Sequence, residues 1–308
     1  MKNKLLTLCV MAFCSITFCK AQGCSDAGFC TAGSIKPGSS NNEKMQNSVG
    51  ISLGFGIGEQ GTTIFTPQLE PQMRVNDRSL VQIKIPFVQV NGDLGKVSGL
   101  GDVILSYNYL WDTTGKMPLM LTVGTRIATG TASQRANNIP LPMPYQTSLG
   151  TTDLILGARL GLKKGFSISF AYQQPLFNRN QNGFDSTAFK AFKLEDSENY
   201  FLSSELKRKG DVLLRIDKMF KGKKTNYTLG VLPIFHLGKD QIRNEQNQWV
   251  KLDGSQGLTV NINGSVVHKL SDKTELSLIA GMPVAIRQSR PDGLTRAFVS
   301  VLGLRYLL

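Results

Sequence analysis

From Ser48 to the last residue the chain alternates. Val49, Ile51, Leu53, Phe55 and Ile57 are interleaved with Gly50, Ser52, Gly54 and Gly56. A strand turns successive side chains to opposite faces, so a period of two means one apolar face and one polar or small face. The same beat returns in Val103, Leu105, Tyr107, Tyr109 and Trp111, in Leu119 to Ile127, in Phe166 to Tyr172 and in Leu276 to Ile286. It predicts twelve strands, near 48–57, 62–75, 79–90, 100–111, 117–129, 149–162, 165–177, 210–220, 224–237, 256–268, 273–287 and 296–307. Most are longer than the about 5–6 residues of a soluble strand. They match the about 9–11 residues that cross a bilayer at a tilt.

The connections also alternate. Asn76-Asp77-Arg78, 112–116, Lys163-Lys164, Lys221-Gly222-Lys223 and Ser271-Asp272 are tight, whereas 91–99, 130–148, 178–209, 238–255 and 288–295 are longer. Outer-membrane barrels pair short periplasmic turns with longer outside loops. Both termini then fall on the tight-turn side, as an even strand number requires. The expected fold is therefore all-β, a closed antiparallel transmembrane β-barrel of twelve strands. Fourteen is the alternative if 178–209, with its Tyr200, Leu202, Ser204, Leu206 alternation, holds two more.

The amino end sets the compartment. Lys2 and Lys4 precede an uncharged run from Leu5 to Cys19, and Cys19-Lys20-Ala21 offers small residues for cleavage. This reads as a signal peptide over 1–21, too short for a spanning helix of roughly 20 apolar residues. Its loss lowers the formal charge of +13 by three, to +10. The segment 22–47 is expected to be a mobile N-terminal piece, polar from 31 onward. It carries Cys24 and Cys30, the two cysteines left after cleavage. In an exported chain such a pair suggests a disulfide. A lipidated Cys24 and a soft-metal site are the alternatives; two thiolates are few for a closed zinc site.

In a barrel surrounded by lipid the apolar positions face out and the intervening ones face the lumen. The register assigns inward Glu70, Arg74, Lys84, Asp102, Arg126, Asp153, Arg159, Arg215, Asp217, His236, Glu275, Arg287 and Arg305. Gln68, Gln82, Asn108, Gln173, Asn261 and Asn263 join them. Such charges either brace the barrel through arginine–carboxylate pairs or contact a solute along a pore. Phe298, Leu302, Leu304, Tyr306 and Leu308 make one face of the last strand. This is the kind of terminal strand that barrel-assembly machinery recognises, with Leu where that pattern usually has Phe.

Several stretches resemble the outer-membrane transporters grouped with the meta-pathway of phenol degradation. They are Gly99-Leu100-Gly101-Asp102-Val103, Gly210-Asp211-Val212-Leu213-Leu214-Arg215, Leu232-Pro233-Ile234-Phe235-His236-Leu237-Gly238 and Arg290-Pro291-Asp292-Gly293-Leu294-Thr295-Arg296. The resemblance covers roughly 46–308 and implies an outer-membrane barrel of a Gram-negative bacterium that admits small, often hydrophobic or aromatic solutes. It transfers no binding residue.

Other motifs lead elsewhere. Gly56-Ile57-Gly58-Glu59-Gln60-Gly61 fits G-x-G-x-x-G, but a dinucleotide site needs a helix next and TTIFTPQLEPQ follows. No cofactor is expected, and no metal. The histidines are two, His236 and His268, and no serine sits in a nucleophile setting, so no enzyme is expected. The basic stretch 205–224 would suggest nucleic acid in a cytosolic chain. Export excludes that partner and puts Lys207, Arg208 and Lys209 at an outer rim, facing membrane lipids and lipopolysaccharide. The leading expectation is a passive channel for a small-molecule solute, gated by outer loops or the N-terminal segment. A non-conducting surface or adhesion barrel is second and a lipid-modifying barrel enzyme third.

Overall fold

The computed structural model describes residues 33–36, 45–111, 117–192, 200–294 and 296–308. The leader and the Cys24–Cys30 pair lie outside the described residues, as does the 112–116 turn. The strands are β1 (Ser48–Ile57), β2 (Thr63–Asn76), β3 (Ser79–Gly92), β4 (Gly95–Leu100), β5 (Val103–Leu110) and β6 (Leu119–Ile127). A small loop hairpin follows, β7 (Arg135–Ala136) with β8 (Ile139–Pro140), then β9 (Thr151–Gly161), β10 (Phe166–Asn178), β11 (Asp211–Lys221) and β12 (Thr225–His236). A second loop hairpin, β13 (Gln241–Arg243) with β14 (Trp249–Lys251), precedes β15 (Gly257–Lys269), β16 (Thr274–Ala285) and β17 (Phe298–Leu307).

The wall is a closed barrel of twelve antiparallel strands. Closure is made by β1, which pairs with β2 on one side and along its whole length with β17 on the other, from Ser48↔Leu307 to Ile57↔Phe298. No edge is left to meet lipid. β4 and β5 count as one wall strand, because both pair with β3. They are separated at Gly101 and Asp102, opposite Pro86, which has no N–H to offer the ladder. Gly101 donates instead to the Pro86 carbonyl at 2.8 Å.

One expectation about connections changes, and the fourteen-strand alternative falls. The stretch 91–99 is not a loop: β3 runs on to Gly92, β4 starts at Gly95, and Asp93-Leu94 make the turn. The described part of 178–209 adds no wall strand. It holds a short helix, Ser186–Ala191, capped by Asp185, and one bridge from Lys207 to Gln241.

The outer surface shows what solvent the barrel is built for. Ile51, Leu53, Val123, Phe170, Leu229, Val231, Leu278 and Leu302 all point outward and exposed. So do Phe298, Leu304, Tyr306 and Leu308 on the last strand. Aromatic residues gather at both ends of this band. Tyr107, Trp111, Phe166, Phe220, Tyr227 and Tyr306 ring the tight-turn end, and Phe55, Phe65, Phe177, Phe235 and Phe298 the loop end. Two aromatic girdles around an apolar band are the boundary pattern of a barrel seated in a bilayer. Among the described residues no helix is long and apolar enough to cross a membrane; the strands do so.

The barrel lumen as candidate functional site

Inward side chains divide the lumen into three levels. At the loop end a charge network holds the long loops. His236, the last residue of β12, has Nδ1 2.7 Å from Asp211 Oδ1 and Nε2 2.8 Å from Asp240 Oδ1. Each carboxylate oxygen can only accept, so the ring meets both as a donor and is imidazolium. Arg208 reaches Asp211 and donates through Nε to Asp292 Oδ2 at 3.0 Å. Arg287 donates to the same Asp292 oxygen at 2.5 Å and to the Ser255 carbonyl at 2.9 Å. All six side chains are buried. Three cations face three anions, so the network is neutral and ties 179–210, 237–256 and 286–297 to the tops of β11 and β12. Burial alone would raise the Asp292 carboxyl, but the guanidiniums of Arg287 and Arg208 outweigh it and hold Asp292 far below the usual carboxylate range.

Arg208 therefore does not stand at the outer rim beside Lys207 and Lys209. It is buried, because two carboxylates draw it inward. His236 has both ring nitrogens committed to carboxylates, which leaves neither as a base for a hydroxyl.

Below the network one side of the lumen is apolar. Ile155, Leu213, Leu232 and Ile234 point inward from β9, β11 and β12 and pack with Met143, Leu149, Leu206, Ile242 and Leu294 from the infolded loops. A strict polar-in, apolar-out reading misses these residues. The signal was present: Leu154-Ile155-Leu156 and Val231-Leu232-Pro233-Ile234-Phe235 are apolar at consecutive positions, so both faces of those strands are dry. An open cavity of about 190 Å3 runs through this level. Ile64, Val88, Ile104, Leu232, Leu294 and Val299 line it. Glu70, Lys84, Asp102, Arg126, Arg215, Asn261 and Asn263 add polar groups, and Gln68 lies among them.

Charges brace the wall around the cavity. Arg126 pairs with Asp153 at 2.5 Å and stands 3.9 Å from Asp102. Gln173 donates to Asp153 as well. Arg305 donates through Nε to Glu275 Oε2 at 3.0 Å, across β16 and β17. Asn108 accepts from Thr122 at 2.8 Å. Asp217 has no hydrogen-bond partner on either oxygen among the described residues. Arg74 keeps the inward register but lies at the tight-turn rim, exposed and paired with Asp77.

The floor is made by the N-terminal segment. Gly33–Ile35 form a 3-10 turn inside the barrel, and Ile35 is 0 % exposed. Gly33 N–H donates to Gln82 Oε1 at 3.0 Å. The Ile35 carbonyl accepts from Arg215 at 2.5 Å and the Lys36 carbonyl from Arg159 at 3.3 Å. Lys36 Nζ lies 3.5 Å from Glu70, which also accepts from Ser52 at 2.8 Å. Lys84 is buried and attracted by the same Glu70. Gly157 makes room for Ile35: a Cβ there would stand 2.7 Å from Ile35 Cδ1. The expectation of a polar linker over 31–47 is thus corrected for 33–36. The one clue was Ile35, an isolated apolar residue in TAGSIKPG.

No protein-family model matches this chain, and no curated protein does. Among solved structures it is similar to the COG4313 outer membrane channel from Pseudomonas putida F1. The TM-score is 0.61 at 16 % identity, covering 88 % of this chain and 99 % of that one. The NanC porin gives 0.49 at 6 % identity over 84 % and 100 % of the two chains. The KdgM porin gives 0.43 at 11 % over 84 % and 98 %. At such identities likeness speaks for the fold, and the fold is that of outer-membrane β-barrels.

Proposed function

We propose that the chain is a passive outer-membrane channel for a small solute with an apolar body. It has no chemical step, and the Gly33–Lys36 turn closes its lumen at the floor. One observation carries this reading: a cavity inside a closed, lipid-facing barrel descends from the outer loops to that turn, with Lys36 in its lining. A barrel built only as a scaffold needs no passage from its outer loops to an inner turn. The turn is held by hydrogen bonds, the Lys36–Glu70 pair and the packing of Ile35 rather than by a wall strand, so it can leave without opening the barrel. The apolar middle level favours solutes that shed water readily, and the polar groups among it orient them. Transport in the sense of the phenol-degradation transporters fits this lining. The basic residues Lys207, Lys209 and Lys239 at the loop end suit anionic lipopolysaccharide, and the outward face of β17 suits the assembly machinery.

Solute uptake by proteoliposomes tests the proposal. With residues 33–36 deleted, liposomes should admit small neutral solutes faster than protein-free liposomes, and the full chain should be slower than the deletion. Equal rates for the deletion and for protein-free liposomes would leave the non-conducting scaffold.

A further inference from the structure

We propose that Arg159, Ser169 and Arg215 form an anion seat at the cavity floor. In this structure the Gly33–Lys36 turn occupies it with two backbone carbonyls, and a small carboxylate with an apolar body takes it over and releases the turn. The consequence for gating rests on the channel reading; the seat itself does not.

The three residues share one register row. Ser169 on β10 pairs with Arg159 on β9 at one side and with Arg215 on β11 at the other. Adjacent strands are about 4.8 Å apart, so two guanidiniums flank one hydroxyl inside the lumen. All three are buried, Arg215 to 1 % exposure. Ser169 Oγ and Arg215 Nε have no hydrogen-bond partner among the described residues. A buried donor without a partner is costly, and a ligand at the row would relieve that cost.

For Arg215 the present occupant is a poor match. Arg126, Arg208, Arg287 and Arg305 each contact a carboxylate. Arg215 instead donates to the carbonyl of Ile35, although Asp217 is two residues away on the same face. Arg159 donates to the carbonyl of Lys36, at a long 3.3 Å, and to Ser167 at 3.0 Å. A carbonyl oxygen carries a partial charge and meets one N–H. A carboxylate carries a full charge and can meet two in a fork, roughly twice as strongly. Among the described residues, Asp217 is the carboxylate that Arg215 and Arg159 both feel here, two guanidiniums against one carboxylate.

The approach is one-sided. Arg215 lines the cavity, whereas Arg159 lies behind the turn and does not. A solute descending past Ile104 and Leu232 meets the Arg215 guanidinium first, with its apolar body still in the dry level. Ligand and turn compete for the same N–H groups, so by linkage each weakens the other's hold.

Equilibrium dialysis of the full chain in detergent, with benzoate and its neutral isostere benzamide as probes, tests the seat. Benzoate should bind at least about tenfold tighter than benzamide, the worth of a charged hydrogen bond. Arg215→Gln should erase that preference. Deleting 33–36 should strengthen benzoate binding, because the competitor is gone. Ser169→Asp, which places a carboxylate between the two arginines, should abolish benzoate binding even if Arg215→Gln does not fold. Equal binding of the two probes, benzoate binding unaffected by Ser169→Asp, or weaker benzoate binding after the deletion would each overturn the proposal. If benzoate follows the expected pattern while the deletion variant admits no solute, the channel reading fails and the seat stands.

Discussion

Arg126 and Asp153 are register partners across β6 and β9, and their side chains meet at 2.5 Å inside the lumen, both buried. A buried pair of this kind is worth little against a well-packed apolar pair, but removing one partner strands a charge at a cost of about 3–5 kcal/mol. Arg126→Ala or Asp153→Ala should lower the temperature at which the heat-modifiable band unfolds in gel-shift assays. The double change to leucine should recover part of the loss. Equal loss in the double and single variants would mean that the pair is not the brace.

Val123 sits at the centre of β6, 53 % exposed on the outer face. Arginine at the midplane of a lipid-facing wall costs about 2–4 kcal/mol. Val123→Arg should lower folding stability in lipid vesicles by that amount, and Val123→Leu should not. A tolerated arginine would mean that this face does not contact lipid tails.

Asp292 is held below the usual carboxylate range by Arg287 and Arg208 despite its burial. A depressed carboxyl contributes stability above its unfolded pKa and loses it as pH falls through the folded value. The loop latch should therefore hold from neutrality down to about pH 4, the ordinary carboxylate value, and loosen only below. Protease cleavage within 286–297 is the readout. Asp292→Asn should expose the loop already at neutral pH.

Gly157 leaves the space that Ile35 fills, with 2.7 Å between the missing Cβ and Ile35 Cδ1. Gly157→Val should crowd the turn out of its place without breaking the wall, since β9 pairs through backbone on both sides. Solute uptake should rise toward that of the 33–36 deletion. Unchanged uptake would mean that the turn does not limit passage.

Much of this wall is legible in the residues themselves, because period two fixes both strand and facing. A slip of one residue would bury Ile51 and expose Glu70, so the register has one answer. What resists reading is whatever depends on the loops. Asn91 to Gly95 look like a loop because two glycines flank an aspartate, yet Val90 and Val97 continue the ladder on either side. Arg208 looks like a rim charge until Asp211 and Asp292 are brought beside it from 3 and 84 residues away. The seat is similar: Arg159, Ser169 and Arg215 each read as inward polar residues, and only the pairing of β9, β10 and β11 sets them in a row.

Single-channel recording in planar bilayers tests the central claim most directly. The full chain should show low or rare conductance, and the barrel lacking 33–36 a steady, larger one, both folded by the heat-shift criterion. A deletion variant that remains folded and silent would contradict the account.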